Sequence, residues 1–294
     1  MYPEITLIAY LIDRLFGEFA SRYHPVVLMG GVIGWFERAY YQDSILRGGL
    51  LTLTLLTLTA LTTETLLTLS SLLPPLLETV VVGIIASMGL ASKMLHDAVR
   101  ELITHPHKIR YLVSRDTQEL SPSDINKAGI ETYAENLSDG VIAPLLYLLL
   151  FGLTGLFLYK AINTLDSMVG YKTPHYYRFG RIPARLDDLA NLLPSRLTAL
   201  LIALLFGSAK ALGFYPQGSQ HESPNAGHPI TAMALALGIG LGGDTVYFGK
   251  LKPKPHFGEG RTTLTPHDIT QALQLQLRLD GVICLLLGLG IWLK

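Results

Sequence analysis

The stretch VIAPLLYLLLFGLTGLFLYKAINTLDSMVG, residues 141–170, decides how this chain can fold, because a long apolar run ends there in polar side chains. Its apolar part is long enough to span a membrane, which takes about 20 residues. However, Pro144 breaks its start, and Gly152 and Gly155 interrupt its middle. The sequence therefore permits either one straight span or two shorter helices that are joined at GLTG in a re-entrant hairpin.

These two alternatives place the neighbouring polar segments differently. A hairpin returns the chain to the side it came from, so the polar segments 96–140 and 160–196 would share one membrane face. A straight span would put them on opposite faces. A single site built from both segments therefore requires the hairpin.

Composition indicates a membrane protein. Of 294 residues, 49% are hydrophobic and only 16% are charged, whereas about a quarter of the residues of a soluble protein are charged. The formal net charge of zero argues against a nucleic-acid partner, which requires surplus Lys and Arg. The single cysteine, Cys284, excludes an intramolecular disulfide and a cysteine-based zinc site.

We predict an all-α, polytopic integral membrane bundle with re-entrant or interfacial helices, forming a single domain over residues 1–294. Further stretches approach the length of a span: 45–73, 75–94, 197–213 and 275–293. Lys and Arg cluster in the two polar segments and are absent between the first two spans. The positive-inside rule therefore predicts that both basic loops face the cytoplasm. The number of spans and the side of residues 214–274 stay open.

Three carboxylates recur in GIETYAENLSDG, residues 129–140. Glu131, Glu135 and Asp139 are spaced i, i+4 and i+8, which stacks them along one helical face. Like charges at this spacing repel unless a cation or water relieves them, and Mg²⁺ prefers such oxygen ligands. A metal site and a solvated acidic face explain the pattern equally well.

Polar residues also share a face after the apolar run. Lys160, Asn163 and Asp166 are spaced i, i+3 and i+6 and would project toward one polar cavity at the membrane surface. Alternatively, Lys160 snorkels to the interface and Asp166 caps a neighbouring helix.

The segment RFGRIPARLDDLANLLPSR, residues 178–196, predicts a helix that begins near Pro183 and ends at Pro194. In the functional interpretation, Arg181 or Arg185 binds a phosphate or carboxylate bidentately. Asp187 or Asp188 binds metal, and the amide of Asn191 lies within reach of both aspartates. A surface helix with exposed ion pairs is the alternative. The residues concerned are Arg181, Arg185, Asp187, Asp188 and Asn191.

The segment HESPNAGHP, residues 221–229, combines Pro, Asn and Gly in a tight loop whose backbone N–H groups could bind an anion. Its candidate substrate-binding residues are Ser223, Asn225, Gly227 and His228. Loops of this composition are common, so the pattern is weak by itself. Nucleotide-binding glycine loops and hydrolase nucleophile motifs are absent from the sequence.

Seven segments in the same order resemble the membrane adenosylcobinamide-phosphate synthases of cobalamin biosynthesis. They are HPVVLMG (24–30), VSRDTQEL (113–120), ETYAENLSDGVIAP (131–144), YKAINTLDSMVGYK (159–172), ARLDDLANLLPSRLTAL (184–200), SPNAGHP (223–229) and LGGDTVYFG (241–249). The chain departs from the family pattern at His228, at Asp244 and Thr245, and after Gly17 in DRLFGEF.

The resemblance implies an ATP-dependent amide ligase that joins a carboxylate of adenosylcobyric acid to 1-aminopropan-2-ol or its O-phosphate. ATP and Mg²⁺ would be required, because a carboxylate must first be activated. Candidate catalytic residues are Lys160, Asn163, Asp166 and Arg185. Candidate substrate-binding residues, besides those of the loop 221–229, are Arg115, Asn136, Arg181 and Asn191. Candidate metal ligands are Glu131, Glu135, Asp139, Asp187 and Asp188.

Two other classes of function remain as alternatives. A transporter would line its substrate path with such charged groups, and a non-catalytic regulatory relative could share the fold. The expected surroundings are the cell membrane and its lipid, with a multi-pass chain whose active site faces the cytoplasm. Other enzymes of the cobalamin pathway are candidate partners. The sequence does not distinguish acyl phosphate from acyl adenylate, and it leaves the amine donor and oligomeric state open.

Overall fold

The chain is almost entirely helical in the computed structural model, which describes residues 1–17, 23–247 and 250–294, without the side chains of residues 246, 247, 250 and 251. The ends of two quoted motifs, residues 18–19 and 248–249, therefore lie outside the described residues. The predicted all-α membrane fold is confirmed by the twelve α-helices of this part of the chain and its few short strands.

The helices and strands have the following bounds. The helices are α1 Pro3–Phe16, α2 Pro25–Tyr40, α3 Ile45–Ser70, α4 Pro75–Ser87, α5 Ser92–Glu101, α6 Pro122–Leu137, α7 Ala143–Val169, α8 Arg181–Ala190, α9 Leu192–Phe206, α10 Tyr215–Gly218, α11 Gly227–Leu237 and α12 Pro266–Trp292. The strands are β1 Leu241–Gly242, β2 Thr245–Tyr247, β3 Lys250–Lys252 and β4 His256–Phe257. They pair antiparallel, β1 with β4 and β2 with β3.

Contacts divide the chain into two compact units. Unit 1 comprises residues 1–91, 143–191 and 286–294, and unit 2 comprises residues 92–142 and 192–285. In unit 1, helices α1 to α4 pack with α7 and α8. In unit 2, α6, α9 and α11 form the helical core. The single domain predicted from the sequence remains a prediction.

Among the described residues, four helices are long and apolar enough to cross a membrane: 45–70, 75–101, 122–169 and 266–292. A fifth candidate is the pair α8 and α9, if the two helices together form one broken span. The predicted span 197–213 is corrected, because α9 ends at Phe206, where Gly207 has a positive φ of 64°. The chain is thus a multi-pass membrane protein by the length and apolarity of its helices.

Helix α7 folds back on itself at Gly152, so the candidate span 122–169 is not one straight helix. Gly152 has φ 68° and ψ −162°, a conformation outside the helical region. The rings of Tyr147 and Tyr159 stack at 4.9 Å, although twelve residues of straight helix would separate them by about 18 Å. Of the two alternatives, the structure therefore supports the re-entrant hairpin, and its turn lies in the predicted GLTG.

The second limb of this hairpin runs along α3. Near the turn, the Thr154 hydroxyl donates a hydrogen bond to Glu64 Oε1 at 2.8 Å. At the other end, the loop after α7 packs so tightly on α3 that a Cβ at Gly48 would lie 1.8 Å from the Phe179 carbonyl oxygen. In unit 1, the polar end of α7 and the loop 170–180 therefore lie at the N-terminal end of α3.

The segment 214–274 of unit 2 is less helical than its apolar insert suggests. Helix α11 ends where Gly238 adopts the left-handed conformation, with φ 65° and ψ 40°. Gly242 and Gly243 also have positive φ, and they lead into the short strand pairs. Glycine adopts these values without strain, so the glycine-rich segment forms a turn in place of a longer helix.

Candidate functional site

The polar face of α7 meets α8 in unit 1 through a buried carboxylate. Asp187 Oδ1 accepts a hydrogen bond from Asn163 Nδ2 at 3.3 Å, and Asp187 Oδ2 accepts one from Asn191 Nδ2 at 3.1 Å. The Tyr159 hydroxyl donates to Asn191 Oδ1 at 2.8 Å. Asp187 is 9% exposed and Asn191 is 1% exposed. This Asp187 network brings together candidates from two separate motifs, with both oxygens of the carboxylate engaged.

The remaining candidates of unit 1 lie at partly or fully exposed positions. Lys160 is half-buried and near enough to Asp187 to interact electrostatically with it. Asp166 bends over the start of the loop, since a Cβ at Gly170 would lie 1.9 Å from Asp166 Oδ1. A glycine at 170 thus leaves the space that this carboxylate occupies. Asp188 is half-buried, while Arg181 and Arg185 are exposed.

In unit 2, Glu131 anchors two segments that are distant in sequence. Its Oε2 accepts a hydrogen bond from Arg115 Nη2 at 2.6 Å, and its Oε1 accepts one from the Gly242 backbone N–H at 2.7 Å. The side chains of Arg115 and Glu131 are 13% and 10% exposed. Glu131 was a candidate metal ligand, but in the structure its two oxygens hold a guanidinium and a backbone amide.

The three carboxylates that the sequence spaces along one helical face, Glu131, Glu135 and Asp139, do not all lie in one regular α-helix. Helix α6 ends at Leu137, and residues Ser138–Ile142 form a π-helical turn that contains Asp139. The π-turn makes i→i+5 hydrogen bonds, so the i+4 spacing no longer fixes the direction of Asp139. Glu135 and Asp139 are half-buried, and Asn136 is exposed, with its amide donating to the Thr132 carbonyl at 3.0 Å. No cluster of three or more His, Cys, Asp or Glu side chains suited to a metal ion occurs among the described residues.

A polar cavity of about 690 Å³ lies in unit 2 beside Arg115. Its walls come from the segment before α6, from the first turns of α6 and from the turn after β1. The charged residues that line it are Arg115, Asp116, Glu119, Asp124, Lys127 and Asp244. Lys127 Nζ lies 3.8 Å from Asp124 Oδ1, and Asp124 Oδ2 accepts a hydrogen bond from the Ser121 hydroxyl at 2.6 Å.

The loop 221–229 uses most of its own N–H groups. Ser223 Oγ accepts hydrogen bonds from the backbone N–H groups of Asn225 and Ala226, at 3.2 and 3.3 Å. The N–H of Ser223 donates to His221 Nδ1 at 3.0 Å, and that of His228 donates to the Asn225 carbonyl at 3.2 Å. These four N–H groups therefore have partners within the loop, and substrate binding by the loop residues stays a prediction.

Two residues of this loop, Asn225 and His228, have buried side chains. Asn225 Oδ1 accepts a hydrogen bond from Arg196 Nη1 at 2.7 Å. The His228 ring is 1% exposed and stacks on Tyr215 at 5.0 Å. Burial, reinforced by the positive charge of Arg196, lowers the pKa of His228 to about 4. The ring is therefore neutral at pH 7. Gly227 also permits close packing, since a Cβ there would lie 2.1 Å from the Gly218 carbonyl oxygen.

Sequence reasoning missed the cavity and most of the residues that line it. The sequence indicates Arg115 as a candidate, but not Glu119, Lys127 or Asp244. The motif VSRDTQEL and the segment LGGDT carry the only available signal, namely charged residues beside glycines and helix-capping residues. Nothing in their spacing indicates that residues more than 110 positions apart line one cavity.

Comparison with known proteins agrees with the motifs. The sequence profile described as CobD/Cbib protein matches residues 6–276. The chain is 40% identical to the cobalamin biosynthesis protein CobD of Geobacter metallireducens, over 97% of this chain and 95% of that protein. It is 36% identical to CobD of Klebsiella pneumoniae, over 97% of both chains. It is 38% identical to a probable CobD of Pyrococcus furiosus, over 81% of this chain and 85% of that one.

No solved structure matches this chain. The family profile covers most of the sequence, including the Asp187 network and the polar cavity, and the similarity to full-length relatives extends over nearly the whole chain. The chain therefore belongs to the CobD/Cbib family of cobalamin biosynthesis proteins.

Proposed function

We propose that the chain is an ATP-dependent amide ligase of cobalamin biosynthesis. It joins a carboxylate of adenosylcobyric acid to 1-aminopropan-2-ol or its O-phosphate, giving adenosylcobinamide or its phosphate. The active site faces the cytoplasm, where the nucleotide is available. Family membership supports the pathway and a corrinoid substrate.

Amide formation imposes three chemical requirements. A carboxylate is a poor electrophile, so ATP supplies a phosphoryl or adenylyl group to activate it. The anionic nucleotide needs Mg²⁺ and cationic side chains. The amine must be held close to the activated carbonyl, because positioning converts a bimolecular step into an effectively unimolecular one.

The observation that carries this proposal is the Asp187 network in a chain of this family. A buried carboxylate fixes the amides of Asn163 and Asn191 at the end of the hairpin. Asp166 and Lys160 lie on the same helix face as Asn163. In this proposal, Asn163 orients substrate and the buried Asn191 holds Asp187 in position. Lys160 and Arg185 bind phosphate, and Asp166 is the catalytic carboxylate.

For Mg²⁺, Glu135 and Asp139 are the favoured protein ligands in unit 2. They are half-buried and four positions apart in the sequence, with Asp139 in the π-helical turn, and Mg²⁺ usually takes one or two carboxylates together with substrate phosphates. Asp188 has similar exposure in unit 1. Glu131 and Asp187 fit less well, because hydrogen bonds already engage both oxygens of each. Arg115, Arg181, Asn136 and the loop residues Ser223, Asn225, Gly227 and His228 remain predicted substrate contacts.

The direct test incubates the detergent-solubilised protein with adenosylcobyric acid, aminopropanol phosphate, ATP and Mg²⁺. We expect a new amide product, detected by mass spectrometry, together with ADP or AMP. ADP indicates an acyl phosphate, and AMP indicates an acyl adenylate. Uptake of the corrinoid into vesicles without any new bond would support the transporter alternative and contradict the ligase.

A substitution at Asp166 tests the proposed site. Asp166→Asn keeps the size of the side chain and the space above Gly170, but removes its charge. We expect amide formation to fall by at least about 100-fold, the scale of a lost acid or base, with unchanged yield in membranes. Asp43→Asn, an exposed position of the same unit, is the matched control. Undiminished turnover in Asp166→Asn would remove this residue from the site.

A further inference from the structure

The polar cavity of unit 2 is lined by charged residues of both signs, and one of its cations, Arg115, is held in a fixed position. Arg115 is mostly buried, and the ion pair with Glu131 fixes its position. Only its Nη2 has a hydrogen-bond partner among the described residues. Because guanidinium groups bind oxyanions bidentately, the remaining donors of Arg115 suit a phosphate at this wall of the cavity. Lys127 adds a second positive charge to the lining.

The acidic part of the cavity is larger than the basic part. Four carboxylates, Asp116, Glu119, Asp124 and Asp244, line it against two cationic side chains. Glu119 and Asp244 are exposed, and no hydrogen bond or ion pair engages either of them within the described part of the chain. An acidic lining attracts cations and repels a bare polyanion. A nucleotide alone would supply no cation for Glu119 and Asp244.

We infer that this cavity binds a small zwitterion that carries a phosphate and a primary ammonium group. Arg115 and Lys127 bind the phosphate, and Glu119 and Asp244 bind the ammonium. Both signs of charge are then paired in one ligand. If the proposed ligase function is correct, on which this assignment rests, the zwitterion is the phosphorylated amino alcohol, and the cavity is the amine-donor site.

Binding measurements test this inference without requiring ligation. The detergent-solubilised full chain is titrated calorimetrically with 1-aminopropan-2-ol O-phosphate, in the absence of ATP and corrinoid. Two probes separate the charges: propan-2-yl phosphate lacks the amine, and 1-aminopropan-2-ol lacks the phosphate. We expect the zwitterion to bind at least about tenfold more tightly than either probe, because each probe lacks the charged hydrogen bonds of one end of the ligand.

Substitutions of residues that line the cavity assign the two ends of the ligand. Asp244→Asn with Glu119→Gln should weaken binding of the zwitterion by about tenfold or more, and the amine-free phosphate should bind at least as tightly as to the wild type. Lys127→Met should weaken both phosphate-bearing ligands. Lys210→Met, an exposed lysine of the same unit, is the control and should change nothing. Circular dichroism confirms that each variant remains folded.

Three results would overturn the inference. The first is that the wild-type chain shows no saturable binding of the zwitterion. The second is that the acidic double variant binds the zwitterion with unchanged affinity. The third is that Glu119 and Asp244 determine the affinity for Mg²⁺–ATP in place of that for the zwitterion. Failure of the ligase proposal looks different, because the zwitterion would bind as expected while no amide product forms. Conversely, ligation with an unchanged KM for the amine in the double variant would reject this site and leave the ligase intact.

Discussion

At the level of single residues, Glu131 shows how a tertiary contact changes the interpretation of a sequence pattern. Its spacing from Glu135 and Asp139 suggests a metal ligand, but in the fold it holds Arg115 and the Gly242 amide. These partners are 16 and 111 positions away in sequence. Helical periodicity describes neighbours within one helix, so it could not reveal either contact.

Replacing Glu131 by Gln should therefore destabilise the protein strongly. The variant leaves the mostly buried Arg115 without a counter-charge, and breaking a buried ion pair costs about 3–5 kcal/mol. We expect the apparent Tm in detergent to fall by several degrees or more. Asp97→Asn, which removes an exposed partner of Lys93, is the control, since exposed pairs contribute about 0–1 kcal/mol. Equal shifts in the two variants would contradict the anchoring role.

His228 gives a prediction for pH. Its folded-state pKa of about 4 lies below the ordinary value near 6.5. Between these values the unfolded chain binds more protons, so stability falls as the pH decreases through this window, by up to about 1.4 kcal/mol per pH unit. Above pH 6.5 the residue contributes no pH dependence.

The variant His228→Phe isolates this contribution, because it keeps the stacking on Tyr215 but cannot titrate. We expect its apparent Tm to depend less steeply on pH between about 6.5 and 4 than that of the wild type. His256→Gln, at an exposed position, should keep the wild-type slope. Parallel curves for His228→Phe and wild type would show that His228 is not buried in its neutral form.

At the level of elements, the sequence predicts the hairpin as one of two alternatives, but it gives the wrong bounds for one span, 197–213. Pro144, Gly152 and Gly155 marked a break, but they did not decide between a kinked span and a turn, because that depends on where neighbouring side chains pack. The stack of Tyr147 on Tyr159 decides it. The error at 197–213 has a local cause, since hydropathy averages over Gly207, whose positive φ ends α9.

Gly152→Ala tests the turn of the hairpin. The φ of 68° and ψ of −162° at this position belong to a region that is nearly exclusive to glycine and costs other residues about 1–3 kcal/mol. An added Cβ would also lie 3.1 Å from the Tyr2 ring. We expect a clear loss of thermal stability in detergent. Gly31→Ala, in the middle of α2 with open space around it, should be neutral or slightly stabilising. Similar behaviour of the two variants would argue against a turn at 152.

At the level of the whole molecule, composition and charge distribution predict a multi-pass membrane protein and the family motifs predict its pathway. The division into two compact units could not be predicted, because each unit combines segments that are far apart in sequence. Unit 1, for example, joins the first 91 residues to the hairpin and α8. Such pairings depend on long-range packing, which leaves no local pattern.

The orientation of unit 1 in the membrane gives the last prediction. The loop 170–180 lies at the N-terminal end of α3, whereas Ser71 follows its C-terminal end. The 26 residues of α3 extend about 39 Å, more than the hydrocarbon thickness of about 30 Å. The turn 71–74 between the first two spans has no Lys or Arg and should face outward. In a Cys284→Ser background, we therefore expect Ser71→Cys to react with an impermeant maleimide on intact cells. Thr173→Cys should react only after permeabilisation. If both cysteines are labelled from the same side of the membrane, the hairpin is contradicted. If Thr173→Cys is labelled on intact cells and Ser71→Cys only after permeabilisation, the orientation is the reverse and the Asp187 network lies away from the cytoplasm.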